Sequence, residues 1–299
     1  MTAVDDDPEV AVERTVTWRE LLRETESLVG DDRHARWICE TATSTTPDEF
    51  RSMLAENATE RSVHHLDAMV ARARAGEPIQ YVLGSWGFRR LDLAVDRRVL
   101  IPRPETEQLV ELALVRAAAL SPTRTVVDLG TGSGAVGLAL ADELPLDGTA
   151  VWLTDASPDA LDVARANLAG IGRSAANVRV VGGSWFDALP ADLRADVVVS
   201  NPPYVAVGSP DLDPSVAEWE PTEALLAGDD GLDDIRVIVA GAADRVLPGG
   251  WLLLEHGHDQ GDPVRELFAA DGWVEVATHR DPAGHERVTL GRRPPSHGG

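Results

Sequence analysis

The sequence predicts an α/β fold: a seven-stranded, mostly parallel sheet with helices on its faces, preceded by a small N-terminal helical bundle that a β-hairpin joins to it. Three observations carry this expectation. After Leu109, short runs rich in valine and leucine alternate with helix-like runs, the pattern of a parallel sheet built from strand–helix–strand units. Before about residue 80 the apolar residues recur at 3-to-4 spacing instead, the period of amphipathic helices. Between these regions, Gly76 to Pro104 partly alternates around Gly84 and Gly87, as a hairpin does.

In the helical region Trp18, Leu21, Leu22 and Leu28 form the first apolar stripe, followed by Trp37 and Ile38, then Phe50, Met53 and Leu54, then Leu66, Met69 and Val70. In the hairpin region the partly alternating residues are Tyr81, Val82, Leu83, Phe88, Leu91, Leu93, Val95, Val99 and Ile101. The expected strands of the sheet are Thr125 to Leu129, Ala150 to Thr154, Asn177 to Val181, Ala195 to Ser200, Trp251 to Glu255, Val274 to Thr278 and Arg287 to Leu290. Helix-like runs begin at Leu109, Gly134, Ser157 and Asp233. Ser157-Pro158 supplies an N-cap and a proline at the first helical position, and Pro248-Gly249-Gly250 is expected to stop the helix that begins at Asp233. Only Arg280 to His285 separates the last two strands, so they should form an antiparallel hairpin at one edge of the sheet. The expected division of the chain is an acidic tail over 1–14, a helical docking domain over 15–80, a hairpin linker over 81–104, the α/β domain over 105–292 and a tail over 293–299.

Composition narrows the function classes. The chain has 299 residues, 43% of them apolar, enough for an ordinary buried core, and no apolar run reaches the roughly 20 residues a bilayer span needs. The N-terminal segment is acidic and lacks an apolar core, so a cytoplasmic protein without a targeting segment or membrane association is expected. A formal net charge of −23 argues against a protein that holds nucleic acid mainly through phosphates. There is no lysine, so every basic side chain apart from histidine is an arginine. The single cysteine, Cys39, excludes an internal disulfide and a multi-cysteine zinc site, and reads as a small core residue. His256, His258 and His285 lack metal-ligand spacing, and no metal is expected.

Two loops carry the chemistry. Val126 to Leu129 leads into Gly130-Thr131-Gly132-Ser133-Gly134, a strand that ends in a glycine-rich turn and opens a helix. Glycines let backbone approach a ligand closely, and a helix N-terminus presents free N–H groups. Asp155 stands about 20 residues further on, at the end of the next strand, where an acid can accept both hydroxyls of a ribose. Two cofactors fit that turn, a dinucleotide and S-adenosyl-L-methionine, and the turn alone leaves both open. Asp128 can equally cap the turn. Trp185, after the third strand, offers a flat face where an adenine ring would lie, or serves as a core residue.

The second loop is Asn201-Pro202-Pro203-Tyr204, directly after the strand ending at Ser200. Each proline fixes φ near −65° and pushes the residue before it to an extended conformation. The product is a rigid polar slot suited to a planar amide or amino group. Asn201 can accept an N–H through its side-chain oxygen, the Pro202 carbonyl can accept another, and Tyr204 can stack on the planar group. With this loop added, S-adenosyl-L-methionine is the favoured cofactor.

Here the chain resembles the HemK family, the protein-(glutamine-N5) methyltransferases of peptide chain release factors. The likeness runs from about Trp18 to Arg292. Its specific segments are Gly76-Glu77-Pro78-Ile79 with Tyr81 and Gly84, Leu100 to Glu107, the glycine turn, Asn201 to Tyr204, Glu220-Pro221 with Ala224-Leu225, Asp230-Gly231-Leu232, and Leu254-Glu255-His256-Gly257 with Gln260-Gly261. The resemblance implies a class I (Rossmann-like) methyltransferase fold. It implies that Gly130, Thr131, Gly132, Ser133, Gly134, Asp155 and Trp185 line the S-adenosyl-L-methionine site, with Asn201 touching cofactor and substrate. It also implies that Asn201, Pro202, Pro203 and Tyr204 bind the target, with Asn201, Pro202 and Tyr204 as the catalytic group. That target is the glutamine of the Gly-Gly-Gln motif in class 1 release factors, docked with help from the helical domain.

Ser184 stands where the family often has aspartate, the helical region matches loosely, and Val205 to Glu218 is unusual beside the target loop. Arg103, between two prolines, either contacts substrate backbone or pairs with a nearby acid. An amino-methyltransferase of adenine in DNA or RNA is the alternative function, and a non-catalytic cofactor-binding module a third; charge opposes the former and the intact loop the latter. A monomer acting on a single bound factor is the simplest expectation.

Overall fold

The computed structural model describes residues 15–210 and 212–295. The expected acidic tail over 1–14 lies outside the described residues, as do positions 296–299 of the expected C-terminal tail. Two compact units divide after Leu83.

The first unit contains α1 (Trp18–Val29), α2 (Asp32–Thr43), α3 (Pro47–Ser52), α4 (Glu60–Arg74) and the short α5 (Ile79–Leu83). Two capping boxes start helices: Thr17 with Glu20 begins α1, and Thr46 with Glu49 begins α3, where Pro47 takes the first position. The apolar stripes meet in one core of Trp18, Ile38, Cys39, Phe50, Leu66 and Met69, with the Trp18 and Phe50 rings edge to face at 5.9 Å. Cys39 is fully buried and burial pushes its thiol up to about 11, so it behaves as a core residue.

Tyr81 to Leu83, which the alternation assigns to the hairpin, are helical. The Tyr81 and Val82 N–H groups donate to the Pro78 carbonyl, and the Arg72 guanidinium donates to the Tyr81 and Val82 carbonyls while pairing with Glu77. A long-range arginine cap of that kind leaves no trace in local periodicity.

The second unit opens with the antiparallel pair β1 (Ser85–Phe88) and β2 (Leu91–Ala94), followed by α6 (Thr106–Ala118). Then come β3 (Arg124–Leu129), α7 (Ala135–Glu143), β4 (Thr149–Asp155), α8 (Pro158–Ile171), β5 (Val178–Gly182), β6 (Ala195–Ser200) and α9 (Pro214–Trp219). The unit closes with α10 (Asp233–Arg245), β7 (Val246–Glu255), α11 (Gly261–Ala270), β8 (Val274–Arg280) and β9 (Glu286–Arg292). The seven strands lie in the order β5-β4-β3-β6-β7-β9-β8, parallel except for β9, which runs antiparallel to both β7 and β8. The chain winds outward from β3 to β5 and returns to β6 beside β3, so the strand order reverses between β3 and β6. Ligand crevices form at such switch points in open α/β sheets.

Burial on both faces sorts side chains by strand period. Val126, Val197, Val199 and Leu253 join the core under α6 and α7, whereas Val127, Val198, Leu252 and Leu254 join the core under α10 and α11. Ser157 caps α8 as expected, its side chain accepting from the Ala160 N–H.

Pro248-Gly249-Gly250 does not end α10. The helix stops at Arg245, Val246 is already extended, and the Pro-Gly-Gly segment bulges within a longer β7, where pairing shifts between Ala195–Val246 and Val197–Trp251. No described helix is long and apolar enough to cross a membrane.

Candidate active site

The C-terminal ends of β3, β4 and β6 open onto a cavity of about 320 Å³. Of the residues proposed from sequence, Gly130, Thr131, Gly132, Ser133, Asp155, Trp185, Asn201 and Pro203 line it. Gly134 caps α7, and Pro202, which is buried, and the half-buried Tyr204 are not among the lining residues.

The glycine turn is held open from its two ends. Gly130, Gly132 and Gly134 all have positive φ (66°, 55° and 87°), which side chains rarely adopt. At Gly130 a Cβ would come 3.1 Å from the Trp185 ring, so the indole lies directly over the turn. Trp185 itself holds φ 44° and packs against the core under α10, making it both a core contact and a wall.

Asp128 ties the turn, as its capping reading expects: its Oδ2 accepts from the Thr131 hydroxyl and from the Gly137 N–H at 2.9 Å. Burial pushes its carboxyl up to about 7. Asp155 is anchored across the cavity, Oδ2 accepting from the Gly132 N–H and Oδ1 from the Ser157 N–H, both at 2.9 Å. Its pKa is raised, chiefly by burial, against the lowering effect of those bonds. Each carboxylate oxygen has two lone pairs, so both can still accept a hydroxyl. Glu223 and Asp234, which sequence reasoning passed over, also line the cavity. The lining thus holds four acids, Asp128, Asp155, Glu223 and Asp234, beside one guanidinium, that of Arg98.

Asn201 leaves β6 beside the start of α6. Its Nδ2 donates to the Thr106 hydroxyl at 3.2 Å, while its Oδ1 is buried without a partner. An orphaned buried acceptor costs free energy unless a donor meets it. Tyr204 is braced from behind: Gln260 Nε2 donates to its carbonyl at 3.0 Å, and Gln260 Oε1 accepts from the Gly257 N–H at 2.8 Å. Burial pushes the Tyr204 hydroxyl pKa up.

Arg103 pairs with an acid. Its guanidinium meets Glu220 Oε1 at 2.5 Å, and Glu220 Oε2 accepts from the Ile101 N–H at 3.1 Å. Ser184 lines the cavity. His256 is buried, its ring nitrogens engaged by Thr289 Oγ1 and the Gly257 carbonyl, and burial lowers its pKa. Among the described residues no group of three or more histidine, cysteine or acidic side chains is placed to hold a metal ion.

Thr106, Glu255 and Gln260 lie inside the segments that carry the family resemblance, yet no role attaches to them from sequence. The available signal for Glu255 was an acid closing the apolar run from Trp251, where a charge should not be.

The donor and acceptor set fits S-adenosyl-L-methionine: an anchored acid for a ribose, an indole face for adenine, acidic walls for a sulfonium, and a glycine turn for close approach. Residues 109–217 match the family model "Methyltransferase small domain", and residues 17–84 match "PrmC N-terminal domain". A relative from Xylella fastidiosa (strain Temecula1 / ATCC 700964), named release factor glutamine methyltransferase, is 46% identical over 241 residues, 81% of this chain and 84% of its own. One of the same name from Pseudomonas aeruginosa is 47% identical over 226 residues, 76% of this chain and 79% of its own. Among solved structures, a methyltransferase from Pyrococcus furiosus shares the fold at 19% identity and TM-score 0.50, over 76% of this chain and 98% of its own. With nearly half its residues shared across three quarters or more of its length, the chain belongs to the release factor glutamine methyltransferase family.

Proposed function

We propose that this protein transfers a methyl group from S-adenosyl-L-methionine to the side-chain amide nitrogen of the glutamine in the Gly-Gly-Gln motif of class 1 peptide chain release factors. The observation that carries the reading is Asn201 itself, which lines the cavity and has a side-chain oxygen without a hydrogen-bond partner. A primary amide supplies the N–H that this oxygen lacks.

Gly130 to Gly134, Asp155 and Trp185 hold the cofactor, with Asp155 on the ribose and Trp185 beside the adenine. When bound, the sulfonium supplies an electrophilic methyl group and leaves as a neutral thioether. An amide nitrogen is a weak nucleophile because its lone pair is delocalised, so the residues around it must position it. Asn201 Oδ1 accepts one N–H and the Pro202 carbonyl the other. Pro202 and Pro203 hold both acceptors rigid, and Tyr204, fixed through Gln260, flanks the amide plane. Orientation of this kind supplies a large effective molarity. The proton becomes acidic once the nitrogen is methylated, so no strong base is required.

The helical unit contributes to docking the factor, and the enzyme acts as a cytoplasmic monomer without direct contact with nucleic acid. The test is transfer of labelled methyl to a purified release factor, to the same factor with its Gly-Gly-Gln glutamine changed to alanine, and to duplex DNA. Label on the intact factor alone is expected. Label on DNA, or on both factors equally, overturns the substrate.

A further inference from the structure

The reaction as derived above uses the glycine turn, Asp155, Trp185 and the loop from Asn201, and leaves Arg98 without a task. Among the described residues that line the cavity, Arg98 is the one basic side chain, beside four acids. S-adenosyl-L-methionine carries two cationic groups, the sulfonium and the α-ammonium, and one anionic group, the α-carboxylate. An anion placed among acids is disfavoured unless a cation or a set of N–H donors meets it.

Arg98 is held by Asp96. The Asp96 carboxylate accepts from the Arg98 backbone N–H at 3.0 Å, from its Nε–H at 2.9 Å and from an Nη2–H at 2.6 Å. That pairing occupies one edge of the guanidinium. Five N–H donors lie in a rigid fork, so the other edge, with both Nη1 protons and the second Nη2 proton, can receive another carboxylate side by side. Among the described residues Nη1 makes no hydrogen bond, and the side chain is 44% exposed.

Asn167 of α8 fixes where the segment carrying Arg98 begins. Its Oδ1 accepts from the Ala94 N–H at 2.7 Å, while its Nδ2 donates to the Ala94 carbonyl at 3.0 Å and to the Ser133 carbonyl at 2.8 Å. The end of β2, shortly before Arg98, is thereby tied to the glycine turn just ahead of α7. Leu93 shares the core under α6 and α7 with Ala135 and Val136, whereas Trp185 packs against the core under α10 and α11. The glycine turn spans these two sides, with Gly130 under the indole and Ser133 joined to Ala94 through Asn167. A cofactor with its adenine beside Trp185 and its ribose on Asp155 directs its methionyl end toward the α7 side, where Arg98 stands.

We propose that Arg98 is a cofactor-binding residue, receiving the α-carboxylate of S-adenosyl-L-methionine on the open edge of its guanidinium. The proposal rests on the reading that sets the adenine beside Trp185 and the ribose on Asp155. Because Asp96 already orients the guanidinium, little side-chain freedom is lost when the carboxylate arrives. The first N–H groups of α7 are the competing donors at this wall.

The experiment measures dissociation constants by calorimetry, at one fixed low ionic strength, for the full chain and for its Arg98→Gln and Arg98→Lys variants. The two probes are S-adenosyl-L-methionine and its decarboxylated form, which lacks only the carboxylate. The unsubstituted chain is expected to bind the decarboxylated probe roughly tenfold more weakly. Arg98→Gln should bind S-adenosyl-L-methionine roughly tenfold more weakly than the parent does, and the decarboxylated probe no more weakly, because the two deletions remove one interaction. Arg98→Lys, which keeps the charge and loses the fork, should fall between. Equal losses for both probes in Arg98→Gln overturn the proposal and assign Arg98 to the adenosine part. A tenfold preference for the carboxylate that survives in Arg98→Gln overturns it in favour of the α7 N–H groups. Equal binding of the two probes by the unsubstituted chain overturns it as well, since no charge then meets the carboxylate. Failure of the unsubstituted chain to bind S-adenosyl-L-methionine at all overturns the underlying reading, a result distinct from each of these.

Discussion

Gly231 lies against the backbone of Tyr204 so closely that a Cβ at position 231 would stand 2.2 Å from the Tyr204 carbonyl oxygen. That carbonyl is the one Gln260 holds, so the loop after β6 is set by a glycine beneath it and an amide across it. Gly231 also has φ 74°, which costs an alanine roughly 1 kcal/mol before any clash is counted. Gly231→Ala should lower the melting temperature and reduce turnover. Gln260→Ala, which only loosens the clamp, should reduce turnover with a smaller thermal effect. Scanning calorimetry beside the transfer assay checks both; a Gly231→Ala protein with unchanged melting and rate contradicts the packing.

Asn201→Ala removes the unpartnered acceptor and should abolish transfer while leaving cofactor binding largely intact. Calorimetric titration with S-adenosyl-L-methionine and the labelled-methyl assay separate the two effects. Near-normal turnover would show that Oδ1 does not hold the substrate.

Asp155→Ala deletes the carboxylate expected to receive a ribose and also frees the Gly132 and Ser157 N–H groups it holds. Hydrogen bonds to a charged group contribute about 1.5 to 3 kcal/mol each, so cofactor affinity should fall by at least roughly tenfold. Asp155→Asn should fall less, since its remaining oxygen still accepts. Equal affinity in all three proteins removes the ribose from this position.

Arg103→Ala leaves Glu220, whose side chain is 1% exposed, with only the Ile101 N–H as partner. An unpaired buried carboxylate is expensive, but Arg103 is about one third exposed and solvent screens the pair. A loss of about 1 to 3 kcal/mol in unfolding free energy is expected, with KM for the factor little changed. A raised KM at full stability would instead assign Arg103 to substrate contact.

Burial pushes the Glu255 carboxyl up to about 7 from an ordinary 4.5, against the pull of Thr106, Arg287 and Tyr204 and with a push from Glu105. A raised folded pKa means that the native state holds the proton longer than the unfolded one. This group's contribution is therefore fully present below about 4.5 and is lost as pH rises through about 7. Glu255→Gln cannot titrate there. Its melting temperature relative to the parent should rise steadily between pH 5 and 8, read by fluorimetry at fixed ionic strength. A difference flat across that range would mean that the carboxyl ionises normally.

Much of the architecture was legible from period alone. The seven strands fall within a few residues of their expected places, because a strand buried on both faces must be a continuous apolar run. The exceptions have physical causes. Tyr81 to Leu83 are helical because Arg72 caps them from α4. The start of β7 hid behind a Pro-Gly-Gly signal that bulges a strand instead of ending a helix. Helix α11 was not among the expected helices; Gly261 and Pro263 fill its first turn and read as breakers.

By itself the sequence determined the fold class, the glycine turn with its following acid, and the Asn-Pro-Pro-Tyr loop after β6, because each depends on residue types at short, fixed spacing. Only the tertiary structure decided who partners whom. Arg103 meets Glu220 across 117 positions and Asn201 meets Thr106 across 95. Such pairings are set by strand order and by which face a residue takes, and a side chain's chemistry in a buried site follows from those neighbours more than from its own identity.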